Sequence, residues 1–264
     1  MLVAIDIGNT NITIALFKED QILNTYRLTT KMQRTSDEYG FMILNFLSAS
    51  KTSVEEVEDV IVSSVVPKIM HSFTSAIIKY LYKHPILVGP GIKTGIAVVT
   101  DNPSSVGADR IVDAVGAYYG YGGPVLVIDF GTATTFDYVS EKGEFLYAVT
   151  APGLEICSQA LSGQAAQLPE IQIVKPETIL AKNTVSSMQA GVVYGYIGLT
   201  EKIITQIKTE IGKPMKVVAT GGLGRLISEE THLIDAYDKD LTFKGLHLIY
   251  QRYLKQKDKK HNAK

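Results

Sequence analysis

One turn, met twice, constrains this chain most. Asp6-Ile7-Gly8-Asn9-Thr10-Asn11 lies between the apolar runs Leu2–Ile5 and Ile12–Phe17. Apolar run, polar turn, apolar run predicts two strands joined by a tight loop. A second run, Val125–Ile128, leads into Asp129-Phe130-Gly131-Thr132-Ala133-Thr134-Thr135, so aspartate, any residue, glycine and a Thr/Asn cluster recur 123 positions later. The turns that follow correspond as well: Lys18-Glu19-Asp20-Gln21 in the first half and Ser140-Glu141-Lys142-Gly143 in the second. A half-length repeat in a chain of 264 residues predicts two similar α/β domains facing each other across a cleft. The Gly120–Pro124 stretch is the natural hinge, giving expected domains 1–121 and 122–264.

The first loop has the chemistry of a phosphate cradle. Gly8 lets the backbone turn and approach a ligand. Asn9, Thr10 and Asn11 set side-chain donors beside exposed N–H groups, a concavity that suits phosphate oxygens. Asp6 is the one charge in the loop, and it belongs beside a phosphate when a Mg²⁺ lies between them. A single loop of this kind is an ordinary hairpin turn, since Asp, Gly and Asn are all turn formers; the repetition argues for more.

Elsewhere the chain reads as a meander and then alternation. Strands are predicted at Met1–Ile5, Ile12–Phe17 and Ile22–Thr29, then a helix over Ser36–Ser48 capped by Thr35 or Ser36. A strand at Val60–Val66, a helix through Tyr82 and a strand at Ile86–Val88 follow. Gly89–Ser105 has no periodicity and reads as a long loop, with a helix over Ala108–Tyr118 beyond it. The second half repeats the meander at Val125–Ile128, Thr135–Val139 and Phe145–Thr150. Pro152-Gly153 opens a helix, Thr184 is expected to cap the longest one, and a strand at Val217–Ala219 runs into Thr220-Gly221-Gly222. A strand near Leu233–Ala236 and a helix at Phe243–Leu254 close the chain. This order is an α/β pattern.

Net charge is −1, so no general field attracts nucleic acid or an anionic membrane surface. No apolar run reaches the roughly 18 residues of a membrane span. Cys157 is the only cysteine, which excludes an internal disulfide framework and fits a reducing compartment. With no basic leader pattern ahead of the first strand, the expected location is cytoplasmic. The basic tail Lys255–Lys264 reads as a frayed, solvated end.

A second candidate site is Asn102-Pro103-Ser104-Ser105-Val106-Gly107-Ala108-Asp109-Arg110. Asp109 and Arg110 fall at a helix start, where the N–H groups and the dipole should keep the carboxyl ionised. There Asp109 could accept a hydroxyl proton and Arg110 could hold a substrate carboxylate. Helix capping with a local ion pair accounts for the same residues equally well. Thr220-Gly221-Gly222 offers bare backbone to a base or ribose, or is a plain strand-to-helix turn. The five histidines have no metal-ligand spacing, and neither a phosphate-binding P-loop motif nor a G-x-S-x-G elbow occurs.

Four stretches together resemble the type III pantothenate kinases, members of the acetate kinase, sugar kinase, chaperone and actin superfamily. They are D-I-G-N-T-N at Asp6–Asn11, N-P-S-S-V-G-A-D-R at Asn102–Arg110, D-F-G-T-A-T-T at Asp129–Thr135 and N-T-V-S-S-M-Q-A-G at Asn183–Gly191. The resemblance implies two ribonuclease-H-like domains of duplicated topology, the actin-like ATPase fold. It implies ATP-dependent phosphorylation of pantothenate, the first step toward coenzyme A. The stretch from Asp6 through Gly8, Asn9, Thr10 and Asn11 to Thr13, with Thr132, would then hold the ATP phosphates, and Asp6 would place Mg²⁺ directly or through water. Gly107, Ala108, Asp109 and Arg110 would contact pantothenate, with Asp109 as proton acceptor. Asp129 would bind the family's monovalent cation, K⁺ or ammonium. Thr184 would reach pantothenate across a homodimer interface. Where the family has Gly-Gly ahead of Pro152-Gly153, this chain has Tyr147-Ala148.

Three other readings compete. A nucleotide-binding transcriptional accessory protein would use the same loops as a switch, although nothing here resembles a helix-turn-helix. A conformational ATPase would need subdomains that this length does not provide. A kinase of another small hydroxy acid is the nearest alternative, because Arg110 could hold many carboxylates.

Overall fold

The structure, a computed structural model, describes residues 1–261. The chain forms two compact units: Met1–Ala97 with Asp101–Gly116 and residues 242–261, and Val98–Thr100 with Ala117–Leu241.

In the first unit β1 (Leu2–Ile7), β2 (Asn11–Lys18) and β3 (Gln21–Thr29) form the expected meander. Then come α1 (Ser36–Ala49), β4 (Asp59–Ser64), α2 (Pro67–Leu81) and β5 (Ile86–Leu87). Thr35 caps α1 in a full capping box with Glu38. The sheet runs β3-β2-β1-β4-β5, with β1 antiparallel to β2 and parallel to β4. Alternation along the strands sorts their side chains between two faces. Val3, Ile5, Ile7, Ile12, Ile14 and Leu16 pack under Tyr39, Ile43 and Leu47 of α1 and Phe73 and Ile77 of α2.

The long loop after β5 contains a two-residue strand, β6 (Ala97–Val98), that its composition did not announce. Val99 N–H donates to the Phe145 carbonyl at 2.9 Å, which ties this stretch to the edge of the second sheet. After β6 runs α3 (Ala108–Tyr121).

The second unit repeats the first. β7 (Val125–Phe130), β8 (Ala133–Val139) and β9 (Glu144–Pro152) form a meander, followed by α4 (Leu154–Gln164), α5 (Thr184–Ile211), β10 (Lys216–Thr220), α6 (Gly224–Ser228) and β11 (Ala236–Tyr237). The order β11-β10-β7-β8-β9 mirrors the first sheet strand for strand and sense for sense, with β6 added on the free edge. Leu126, Ile128 and Phe130 face Leu154 of α4 and Tyr196 and Ile204 of α5, as Ile5 and Ile7 face α1 and α2.

Four expectations change. Asn183, not Thr184, caps α5: its side chain accepts from Ser186 N–H at 2.9 Å, and Thr184 is the first helical residue. The last strand starts at Ala236, because Asp235 first pairs with Val217 through both its N–H and its carboxylate. The final helix, α7 (Leu241–His261), is longer at both ends than the apolar pattern indicated. Of the tail expected to fray, residues 255–261 continue this helix and residues 262–264 lie outside the described residues. Lys and Gln are good helix formers, so a polar tail can prolong a helix that is already anchored.

The fourth change concerns the cut expected after residue 121. α7 packs with the first unit, because Phe243, Leu246, Ile249 and Tyr250 are buried with Leu2, Ala4 and Phe17 on the second face of the first sheet, beside Val112 and Val115 of α3. At the crossing of these helices Gly245 is needed: a Cβ there would lie 2.1 Å from the Val112 carbonyl oxygen. Tyr147-Ala148 do not disturb β9. Ala148 pairs with Asp137, and the exposed Tyr147 stacks on Tyr138 with ring centroids 6.1 Å apart.

Candidate active site

The first loop is positioned by strand register. Period-two alternation puts Asp6 on the same face as Leu2 and Ala4, the face that α3 and α7 cover. Asp6 stands opposite Thr13 on β2 and Ser63 on β4. One of its carboxylate oxygens is buried. The turn closes on itself, Gly8 N–H donating to the Asn11 carbonyl at 3.0 Å. Thr30, just past β3, pins it twice: its hydroxyl donates to the Gly8 carbonyl at 2.8 Å and its N–H to the Thr10 carbonyl at 2.9 Å. The tip, Asn9, is exposed. Thr30 was not apparent from the sequence, where it is one of several polar residues after a strand.

Gly107 and Asp109 are built around each other. A Cβ on Gly107 would come within 2.4 Å of Asp109 Oδ1 and 3.2 Å of Val65 Cγ1, so the carboxylate occupies the space that the missing side chain leaves. Asp109 Oδ1 also accepts Arg110 N–H at 2.8 Å. Burial raises the Asp109 pKa above the ordinary aspartate value; the N–H and guanidinium of Arg110 pull it back without cancelling the effect. A carboxylate made more basic is better suited to accepting a proton.

Val65 joins the two stretches. Its N–H donates to the Ile7 carbonyl at 3.1 Å, at the base of the first loop, and its side chain borders Gly107. Asp6, Gly8, Asn9, Thr10, Asn11 and Thr13 thus share one end of the first sheet with Gly107, Ala108, Asp109 and Arg110.

In the second unit Asp129 has the register of Asp6, opposite Thr135 on β8 and Thr220 on β10. Its surroundings differ. A Cβ on Gly131 would lie 3.1 Å from Asp129 Oδ2, and one on Gly221, whose φ is +92°, would lie 2.5 Å from Oδ1 and 2.6 Å from the Phe130 nitrogen. Two bare backbone segments therefore crowd this carboxylate. Thr132, at the exposed tip, accepts Gly153 N–H on its carbonyl at 3.1 Å. Thr184 is exposed at the first position of α5.

Among the described residues no group of three or more His, Cys, Asp or Glu side chains gathers to hold a metal. Mg²⁺ on a nucleotide takes one or two carboxylates and otherwise phosphate oxygens and water. Asp6 places one carboxylate at the foot of the turn that Gly8 and Asn11 close. Asp129 has backbone close on both sides of its carboxylate.

Solved structures define the fold class. A candidate Baf family transcriptional activator from Campylobacter jejuni superposes with a TM-score of 0.59 over 96% of this chain and 99% of its own, at 18% identity. A candidate 2-dehydro-3-deoxygalactonokinase from Sinorhizobium meliloti gives 0.58 over 96% of each chain, at 14% identity. The two repeated sheets and these likenesses make this an α/β protein of the actin-like ATPase and sugar kinase fold.

Sequence relatives narrow the class. A protein of Agathobacter rectalis named type III pantothenate kinase is 56% identical over 96% of this chain and 97% of its own. Another so named, from Bifidobacterium longum subsp. infantis, is 51% identical over 97% of this chain and 100% of its own. Residues 2–206 match the family described as type III pantothenate kinase, and the chain belongs to that family.

Proposed function

We propose that this chain phosphorylates pantothenate from ATP, the first step of coenzyme A synthesis, with Asp109 taking the proton of the attacking hydroxyl. The family carries the reaction class and does not favour the regulatory alternative, since the relatives at 51–56% identity bear the kinase name. The observation that carries the residue assignment is the Gly107–Asp109 fit, which seats a buried and more basic carboxylate at the sheet end that also bears the Asp6 loop.

The steps follow from the residues. A primary hydroxyl holds its proton far above neutral pH, so the proton must leave as the new phosphorus–oxygen bond forms. Asp109 receives it on a carboxylate held by the Arg110 N–H. Arg110 clamps the substrate carboxylate. Gly8, Asn9, Thr10, Asn11 and Thr13 line up donors for phosphate oxygens, and Thr132 is a further phosphate contact by the family resemblance. Asp6 would hold Mg²⁺, directly or through water, and the ion would supply charge neutralisation for the phosphoryl group. Asp129 would be the residue that holds K⁺ or ammonium, as the family resemblance implies. Thr184 serves the substrate of a neighbouring subunit, which makes the working form a homodimer. No helix among the described residues is long and apolar enough to cross a membrane, and the composition fits work in the cytoplasm on small molecules, without nucleic acid.

Asp109→Asn tests this. It keeps shape and hydrogen bonding but cannot accept the proton. Turnover should fall by roughly 10²–10⁴-fold, with ATP affinity little changed. Arg110→Ala should instead raise the pantothenate KM most. Loss of pantothenate binding in Asp109→Asn with turnover at saturation intact would make Asp109 an anchor and place the base elsewhere.

A further inference from the structure

Tyr196 lies inside α5, in a stripe of apolar residues that includes Val192, Val193 and Ile204, and it is 4% exposed. A buried phenol hydroxyl must find partners, and this one finds two. Tyr196 Oη lies 2.6 Å from Thr134 Oγ1 and 2.7 Å from the Pro152 carbonyl. Thr134 is fully buried and follows the Gly131–Ala133 turn directly. Pro152 is the last residue of β9 and precedes Gly153, whose N–H holds the Thr132 carbonyl.

The contact between Gly153 and that turn is tight. A Cβ on Gly153 would lie 2.4 Å from both the Gly131 and the Thr132 carbonyl oxygens. The turn is therefore shaped by backbone pressed against backbone, and the two segments making that contact are locked from beneath by one hydroxyl. Apolar packing could hold them only approximately. Two directional bonds at a single oxygen fix both segments relative to each other and to α5, and burial makes them costly to lose. The Tyr196 ring, tilted against Phe130 with centroids 6.3 Å apart, braces the other flank of the same turn.

We infer that Tyr196 is a positioning residue: its hydroxyl sets the Gly131–Ala133 turn in the conformation that receives the ATP phosphates, and it couples that turn to α5. This rests on the reading of Thr132 as a phosphate contact. A stripe tyrosine that only filled the core would do as well without its hydroxyl. Here the hydroxyl is the functional part.

The test uses the full-length enzyme and four variants: Tyr196→Phe, Thr134→Val, the double variant and Thr132→Ala. A non-hydrolysable ATP analogue is titrated by calorimetry, and KM is measured for both substrates. Tyr196→Phe should weaken analogue binding and raise the ATP KM by roughly tenfold, the scale of one buried hydrogen bond, leaving the pantothenate KM within about twofold. The double variant should be no worse than Tyr196→Phe, because Thr134→Val removes one of the two bonds that Tyr196→Phe already removes. Equal shifts in the two KM values, or a lowered Tm with unchanged analogue affinity, would reduce Tyr196 to a structural residue and overturn the inference. Thr132→Ala separates the two levels. If it weakens analogue binding while Tyr196→Phe does not, the positioning role alone fails; if it leaves binding intact, the phosphate reading of the turn fails and the inference with it.

Discussion

The two hairpin loops start from the same plan and end as different devices. Asp6 pairs with Thr13 as Asp129 pairs with Thr135, and each aspartate faces a hydroxyl residue on the parallel neighbour, Ser63 or Thr220. Between the last paired residues, Ile7 and Ile12, the first loop has four residues; between Phe130 and Thr134 the second has three. The extra residue lets the first loop close its own hydrogen bond, Gly8 to Asn11, and receive Thr30 from the meander. Its donors stay near the surface. The shorter loop is shaped from outside, by Gly153 against its carbonyls and Gly221 against its aspartate. One scaffold thus offers N–H groups and a carboxylate in one copy, and a carboxylate between bare carbonyl-bearing backbones in the other. On the function proposed above, the first would receive a polyanion with its Mg²⁺ and the second a monovalent cation.

The largest effect expected from this contrast is on the glycines. Gly221→Ala must place a Cβ at positive φ and within 2.6 Å of the Phe130 nitrogen, and should cost roughly 2–5 kcal/mol of stability by combined strain and overpacking. Gly8→Ala meets only the Asn11 carbonyl oxygen at 3.3 Å, without positive φ, and should cost less than about 1 kcal/mol. Chemical denaturation of both variants checks this, and equal losses would erase the difference between the loops.

A smaller effect is expected at Thr30. Thr30→Val removes the hydroxyl bond to the Gly8 carbonyl and keeps the volume, so stability should drop by about 1 kcal/mol. The ATP KM should rise several-fold and the response to K⁺ stay as it was, since only the first loop is loosened. A change in K⁺ response would mean that the loops do not act separately.

Much of this was legible in the sequence, for reasons specific to particular residues. The meanders showed because apolar runs of strand length are punctuated by Asp, Gly and Asn, and the repeat showed because Asp6 and Asp129 head similar turns. β6 was hidden because two residues held at a sheet edge leave no periodicity. The place of α7 was hidden because its apolar stripe does not say which sheet it covers; Leu2, Ala4 and Phe17 decide that from the other end of the chain. Asn183 and Thr184 are both good caps, and only geometry chooses between them. The upward pKa shift of Asp109 was not legible, because it comes from burial, which sequence position does not report. Tyr196 carried one signal, a hydroxyl inside an apolar stripe.

The smallest effect is in pH. Because burial raises the Asp109 pKa, the acidic limb of kcat/KM should lie above the range of an ordinary aspartate and disappear in Asp109→Asn. A carboxyl whose pKa is higher folded than unfolded stabilises the fold when protonated, and that contribution is lost as pH rises through the folded value. At neutral pH the charge therefore costs stability, and Asp109→Asn should slightly raise the melting temperature while abolishing most turnover. A lowered melting temperature at neutral pH would contradict the direction of the shift.

The most direct test of two aspartates in one register doing two jobs is a pair of cation titrations on Asp6→Asn and Asp129→Asn. Activity is followed against Mg²⁺ at saturating K⁺, and against K⁺, ammonium and Na⁺ at saturating Mg²⁺. Asp6→Asn should shift the Mg²⁺ dependence and keep the preference for K⁺ or ammonium over Na⁺. Asp129→Asn should lose that preference and keep its Mg²⁺ dependence. If both variants move both titrations alike, or if the parent enzyme runs equally fast in Na⁺ and K⁺, the division of labour between the loops is wrong.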